Sequence, residues 1–250
     1  MSTWVLLRGL MRESRHWGDF PALFQNAMDG QAVVTLDFPG NGRLYTQPSA
    51  SSVGGMVSDA RIQLRQLGYA PPYRLLALSL GAMVAVAWSE QFPEELEKLV
   101  LINTSLASYN PFYHRLRPQN YLALMRLLYT PVARRERLIL QLTSRRSHTE
   151  NLQSILDQWV AYAEEYPVSR ANILRQLRAA FSYRARLTAP ATPVLLLAGQ
   201  NDQLVNVASS VKLAQHWHCD IRLHPDAGHD LPLDDGVWVT EQVREWLVLV

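Results

Sequence analysis

Short apolar runs alternate with longer segments of helical period along this chain. The runs at 4–7, 32–36, 74–78, 99–102, 194–197 and 221–223 are mostly unbroken by polar residues, as strands are when helices cover both faces of a parallel sheet. Between them, apolar residues at three- and four-residue spacing predict helices over 17–28, 56–67, 80–91, 208–216 and 237–247. Alternation of this kind predicts an α/β fold, a mostly parallel sheet with helices on both faces. No internal repeat and no low-complexity tract interrupts it.

The alternation breaks between Ser105 and Leu187, where several helical patterns follow one another and no strand pattern occurs. The expected organisation is therefore one core, residues 1–104 and 188–250, with a helical insertion over 105–187. Within the insertion, 151–166 carries Leu152, Ile155, Leu156, Trp159, Val160 and Ala163 on one face, with Ser147 and Glu150 placed to form a capping box before it. Thr130 and Pro131 suit a hydroxyl cap followed by a proline at the first helical position. The segment 121–129 is apolar nearly all round, which predicts burial on two sides or the wall of a greasy cavity. Over 171–187, Ile173, Leu174, Leu177 and Phe181 share one face, while Arg175 and Arg178 fall on the other.

Composition narrows the picture. With 48% hydrophobic and 18% charged residues, a chain of 250 can bury a sizeable core and is not disordered. A net charge of +2, with no run of five like charges, gives no footprint for nucleic acid. Cys219 is the only cysteine, so neither an intramolecular disulfide nor a cysteine-based zinc site is available, which suits a reducing compartment. The first residues lack the pattern of a signal peptide, and no stretch approaches the ~18 apolar residues of a bilayer span. A cytoplasmic protein with no membrane span is expected. The charge is nevertheless uneven: 105–187 holds thirteen arginines, no lysine and five acids, a surplus of eight, so the remainder of the chain is net negative by six.

The candidate chemistry lies at strand ends. Ser79 stands in Ala77-Leu78-Ser79-Leu80-Gly81, directly after an apolar strand and before an alanine- and valine-rich helix. A sharp strand-to-helix turn lifts such a serine above the sheet and tolerates only small residues two before and two after it, a demand that Ala77 and Gly81 meet. The helix start also aims unpaired N–H groups at the place where charge develops on an acyl oxygen. A serine nucleophile needs a base, and the base an acid to orient it. Asp202 follows one later strand and His229 follows the last, both at carboxyl ends, where parallel sheets place their sites. At the end of the fourth strand, Asn103-Thr104-Ser105 offers no carboxylate. His16, His114, His148, His216, His218 and His224 lack the Gly-His setting and read as surface or core residues. His216, His218 and Asp220 have the spacing of no common metal site, so no metal is expected. Gly40-Asn41-Gly42 lacks the third glycine and the helix start of a dinucleotide loop, so no cofactor is implied.

These motifs resemble the α/β-hydrolase family over nearly the whole chain: Leu6-Leu7-Arg8-Gly9, Asp37 to Gly42, the serine turn, Gly199 to Asp202, and Gly228-His229. The chain is most similar to compact carboxylesterases grouped with pimeloyl-carrier-protein methyl ester esterase. The order Ser, Asp, His is the family's order. The resemblance implies catalysis by Ser79, Asp202 and His229, and an oxyanion hole from the backbone N–H groups of Leu80 and Leu10. It also implies an acyl ester, or a thioester, as substrate, with acyl transfer or carbon–carbon bond hydrolysis on the same triad as alternatives; a non-catalytic binding protein on the same frame is a further one. Three positions depart from the pattern. Ala77 replaces a glycine, Asn41 replaces a histidine, and Arg8 stands where the family has histidine, there to pair with carbonyls or an acid such as Asp37, or to touch substrate. By resemblance the insertion is a cap over Ser79, and its arginines would attract an anionic substrate or an acidic acyl carrier.

Overall fold

The computed structural model describes residues 2–145 and 152–249. Six parallel strands form one sheet: β1 (Thr3–Leu7), β2 (Val33–Leu36), β3 (Tyr73–Leu78), β4 (Leu96–Ile102), β5 (Val194–Gly199) and β6 (Asp220–His224), in the order β2-β1-β3-β4-β5-β6. Successive side chains on a strand point to opposite faces, and the core divides accordingly. Trp4, Leu6, Leu76, Leu78, Val100 and Ile102 point to the face covered by α1 (Phe20–Ala27) and α10 (Leu231–Leu249). Val5, Leu7, Leu75, Ala77, Leu99 and Leu101 point to the face covered by α2 (Val53–Gln66), α3 (Leu80–Gln91) and α9 (Ala208–Trp217). Apolar residues on both faces account for the unbroken hydrophobic runs of the inner strands.

The chain runs from β1 to β2 on one side and then crosses to β3 on the other side of β1. The carboxyl ends of β1 and β3 therefore lie side by side at the point where the strand order reverses, the usual place for a ligand in a parallel sheet. The loop after β1 and the turn after β3 meet there.

Two helices differ from the pattern read in sequence. The helix expected over 17–28 is split, because Gly18 adopts φ +54 and ends a 3-10 turn at Ser14–Trp17 before α1 begins at Phe20. The helix expected over 237–247 begins earlier: α10 starts at Leu231 and bends at Asp235, whose carboxylate accepts the Trp238 N–H as a new cap (2.9 Å).

Between β4 and β5 lie α4 (Phe112–Arg115), α5 (Tyr121–Leu127), α6 (Val132–Thr143), α7 (Leu152–Glu165) and α8 (Arg170–Ser182). Leu140, Leu156 and Trp159 join α6 and α7 in a small apolar cluster of their own. The loop after β1 holds this segment with polar contacts. Arg12 donates to Glu136 on α6 at 2.6 Å and lies 4.4 Å from the Trp159 ring centroid on α7, and the Met11 N–H donates to Gln176 on α8 at 3.0 Å. Arg15 pairs with Glu165 at the end of α7.

Several expectations for this segment are corrected. The Thr130 hydroxyl donates back to the Arg126 carbonyl at 2.7 Å, and α6 starts after Pro131 without a side-chain cap. On α8 the buried face is Asn172, Ile173, Gln176 and Ala179, while Leu174 and Phe181 are exposed. Helical spacing had put Leu174 and Phe181 inward, but the completely buried Gln176 takes that side because its amide bridges Met11, Asn41 and Ser49. In α5, Leu124 and Leu127 line a cavity, and Leu122 and Met125 face outward. Ser147, Glu150 and His148 lie outside the described residues. No helix of the described residues is long and apolar enough to cross a membrane.

Candidate active site

Ser79 sits between β3 and α3 with φ +56 and ψ −112, a backbone conformation that costs a non-glycine residue of order 1–3 kcal/mol and persists only where its surroundings over-determine it. Two contacts do so. Its N–H donates to the Ile102 carbonyl at the end of β4 (2.9 Å), and α3 is clamped against the end of β1. A Cβ on Gly81 would stand 2.5 Å from the Leu7 carbonyl oxygen and 2.7 Å from that of Arg8. The small residue two places after Ser79 is thus required by the neighbouring strand end rather than by Ala77. Gly9 lies against Ser79 as well: a Cβ there would meet the Ser79 Cβ at 3.3 Å.

Asp202 and His229 stand on the loops after β5 and β6, and both are buried. The Asp202 carboxylate accepts from Leu204 and Val205 backbone N–H groups through Oδ1 (2.7 and 2.9 Å), leaving Oδ2 for His229 Nδ1 at 2.7 Å. That bond fixes the ring and leaves Nε2 free to meet a proton donor. Burial disfavours the imidazolium, but the charge and hydrogen bond of Asp202, helped by Asp230, outweigh it, and Arg8 opposes them. The net result is a His229 pKa above the ordinary histidine value. Ser79 and His229 line one cavity of about 190 Å³, although no hydrogen bond joins their side chains. Apo geometries of this kind tighten when a substrate enters.

Asn103, whose position at the end of β4 offers no carboxylate, binds the site together. Its Nδ2 donates to the carbonyls of Gly228 (2.9 Å) and His229 (2.7 Å), and its Oδ1 accepts the Gly199 N–H (2.9 Å). One buried amide therefore fastens the loop that carries Asp202 to the loop that carries His229. Their approach also needs Gly199 bare, since a Cβ there would lie 2.3 Å from the Ala227 carbonyl oxygen. Sequence reading missed this role; the only signal was an asparagine at a strand end beside two other candidate strand ends.

Arg8 lines the cavity, but its carboxylate partner is Asp230, not Asp37: its two terminal nitrogens bind Asp230 at 3.0 and 2.6 Å in a pair that excludes water almost completely. Asp37 instead accepts the N–H and hydroxyl of Ser14. Leu10 and Leu80 also line the cavity, and outside the helix ladder neither backbone N–H has a protein acceptor among the described residues. Most of the remaining lining is apolar, with Leu127, Ile139, Leu142 and Leu177 among it.

Among the other histidines, His16 is buried in the core against Arg12, Trp159 and Tyr162, and burial with the nearby Arg12 guanidinium holds its pKa well below the ordinary value. His224 bonds Asp235 and accepts the Asp226 and Ala227 N–H groups, shaping the turn before His229. No group of three potential metal ligands occurs among the described residues.

Residues 5–236 match the family model of the α/β hydrolase fold. No curated protein matches the chain. Solved structures do. A thermophilic esterase from Thermogutta terrifontis is 21% identical, with a TM-score of 0.75 over 99% of this chain and 89% of its own. The enol-lactonase of Burkholderia xenovorans is 17% identical, with a TM-score of 0.80 over 99% and 91%. The 2-hydroxy-6-oxo-6-phenylhexa-2,4-dienoate hydrolase of a Rhodococcus species is 18% identical, with a TM-score of 0.77 over 98% and 89%. At these identities the likeness is one of fold.

Asn103→Leu removes one acceptor and two donors from a buried junction and leaves three backbone groups unpaired. The expected loss is roughly 2–4 kcal/mol of folding stability, measured by urea unfolding. A change under about 0.5 kcal/mol, within the range of an ordinary surface substitution, contradicts the bracing role.

Proposed function

The chain belongs to the α/β hydrolase fold family, and on that premise we propose that it is a serine hydrolase that cleaves a carboxylic ester, or a thioester, through an acyl-serine intermediate. One observation carries the reading: Ser79, held in a strained turn at a helix start, shares an apolar cavity with a histidine whose far nitrogen is bound to a buried aspartate. The names of the neighbours, an esterase and an enol-lactonase among them, agree with acyl-oxygen cleavage.

In this mechanism the Ser79 hydroxyl attacks the ester carbonyl carbon while His229 Nε2 takes its proton. The carbonyl π pair moves onto oxygen, where the N–H groups of Leu10 and Leu80 receive the negative charge. Collapse of the adduct breaks the bond to the alkoxy or thiol group, which leaves with the proton from His229. Water, deprotonated by the same ring, then attacks the acyl-serine, and Ser79 regains its proton as the acid departs. Asp202 stays ionised throughout and holds the imidazole in the required tautomer. Arg8 and Asp230 form a neutral pair beside the ring, so the charge that develops on His229 is balanced chiefly by Asp202.

Residues 105–187 act as a cap in this reading, and their arginine surplus meets an anionic carrier of the acyl chain, an acidic protein or a phosphate-bearing thiol. Support comes from the placement of Leu127, Ile139, Leu142 and Leu177 on the cavity wall, with Arg175 and Arg178 exposed on α8.

A fluorophosphonate probe is expected to label Ser79, and Ser79→Ala to abolish labelling and ester turnover by several powers of ten. An adduct mapped by mass spectrometry to Ser105 or Ser14 overturns the assignment. Because His229 works only when neutral and its pKa is raised, kcat/KM is expected to fall as the pH drops through a value above 6.5. An acid limb centred well below that value places the base elsewhere. For the carrier, Arg175→Glu/Arg178→Glu should reduce kcat/KM for an acyl-carrier substrate at low salt while sparing a short neutral ester, with the difference shrinking at high salt, since exposed charges are screened beyond roughly 8 Å at physiological ionic strength. Equal salt sensitivity for both substrates removes the carrier.

A further inference from the structure

Among the described residues, three guanidinium groups line the cavity that holds Ser79: Arg8, Arg12 and Arg115. Two of them are matched by buried carboxylates. Arg8 binds Asp230, and Arg12 binds Glu136, each at 2.6 Å. Arg115, at the end of α4, has no acid partner among the described residues. Its Nη2 donates to the Ala180 carbonyl near the end of α8 (2.7 Å), its Nε is buried without a partner among the described residues, and a charge acting on it is another cation, Arg184. Arg184 is itself held on the carbonyls of Phe181 and Tyr183.

An arginine taken from water into an apolar wall is stable where an anion or several carbonyl oxygens replace its solvation. The end of α8 supplies one carbonyl and a partial negative charge of about half a unit, which leaves most of the guanidinium donors unused. Burial, with Arg184 beside it, holds the Arg115 pKa below the ordinary arginine value, so its surroundings are short of negative charge. Phe181, whose ring centroid lies 5.8 Å away, and Leu116 also line the cavity there, so an acyl chain passing along that wall would end at the guanidinium.

From this cavity, apolar along most of its walls and carrying one cation without an acid among the described residues, we propose that the preferred substrates are esters bearing a second, free carboxylate remote from the scissile carbonyl, and that Arg115 binds that carboxylate. The proposal rests on Ser79 acting as nucleophile. It differs from the carrier reading in placing the anion inside the cavity, on the substrate itself, and not on the outer face of α8. Arg115 is then a specificity determinant: a carboxylate accepts from Nε and a terminal nitrogen together, a geometry that a fixed planar guanidinium favours.

The test compares methyl half-esters of linear dicarboxylic acids with methyl esters of monocarboxylic acids of the same length, in wild type, Arg115→Gln and Arg115→Lys. Wild type should prefer one or two half-ester lengths over their neutral counterparts. Arg115→Gln, which keeps a donor for Ala180, should lower kcat/KM for the half-ester roughly 10- to 100-fold more than for the neutral ester, mainly through KM, and Arg115→Lys should recover part of it. Thermal melts show whether a variant has lost its fold. If Arg115 only caps α8, both substrates fall together, and the proposal fails. Binding to Ser79→Ala separates it from the catalytic reading: calorimetry should detect the half-ester, and adding Arg115→Gln should abolish that binding even if the chain hydrolyses no ester. Half-ester binding that is indifferent to Arg115 overturns the proposal while leaving Ser79 untouched.

Discussion

A buried amide stands at the centre of the site. Asp202 and His229 are on loops from different strands, which meet where the Gln200 and Asn201 N–H groups donate to the His224 and Ala227 carbonyls (2.9 and 3.1 Å). Asn103 braces that junction by accepting from Gly199 and donating to Gly228 and His229, so three backbone groups converge on one side chain whose position is fixed by β4. The same strand end also receives the Ser79 N–H through the Ile102 carbonyl. The turn with the serine and the loops with the acid and the histidine are therefore referenced to a single rigid point at the centre of the sheet. Hydrogen bonds buried this way are costly to leave unmade, which makes the junction cooperative.

A second constraint works from the other side. The loop after β1 approaches α3 so closely that position 81 admits no side chain, and the same loop carries Arg8, Met11 and Arg12, each bound to a distant element. Gln176 reaches from α8 to hold the Met11 N–H, which leaves the neighbouring Leu10 N–H directed by a loop fixed at both ends. Backbone strain at Ser79 is sustained because the strand end, the helix and the loop leave it no room to relax.

Most of the sheet was legible in the sequence, because a strand covered on both faces has to be apolar at every position. The strand-to-helix turn at Ser79 and the glycines near Asp202 and His229 were legible for a related reason: close approach of backbones restricts residue type whatever the partner. The partners themselves were not. Arg8 and Asp230 are 222 positions apart, and no local rule chooses Asp230 over Asp37. On α8, periodicity put Leu174 and Phe181 inward, and the structure put Gln176 there, since a polar side chain that satisfies three groups can displace an apolar one from the buried side. Asn103 carried no chemical signal, because an amide that braces a site looks in sequence like any loop asparagine. Arg115 was counted among thirteen arginines, and what separates it from the rest is its place on the cavity wall, which only three dimensions show.

The polar fastening of the helices between β4 and β5 has a kinetic consequence. Swinging α6 away from the sheet would separate Arg12 from Glu136 in a place where neither finds water at once, a barrier of several kcal/mol before any apolar contact is lost. On the exposed part of the cavity lining, Phe112 and Phe181 are each 63% accessible, and side chains so exposed can turn about their own bonds without moving a helix. Rotations of that kind take picoseconds to nanoseconds, whereas hinged domain motions take microseconds to milliseconds. An opening framed by turning rings and fixed helices would sort molecules by girth, favouring slender, unbranched ones over broad ones before any chemistry begins.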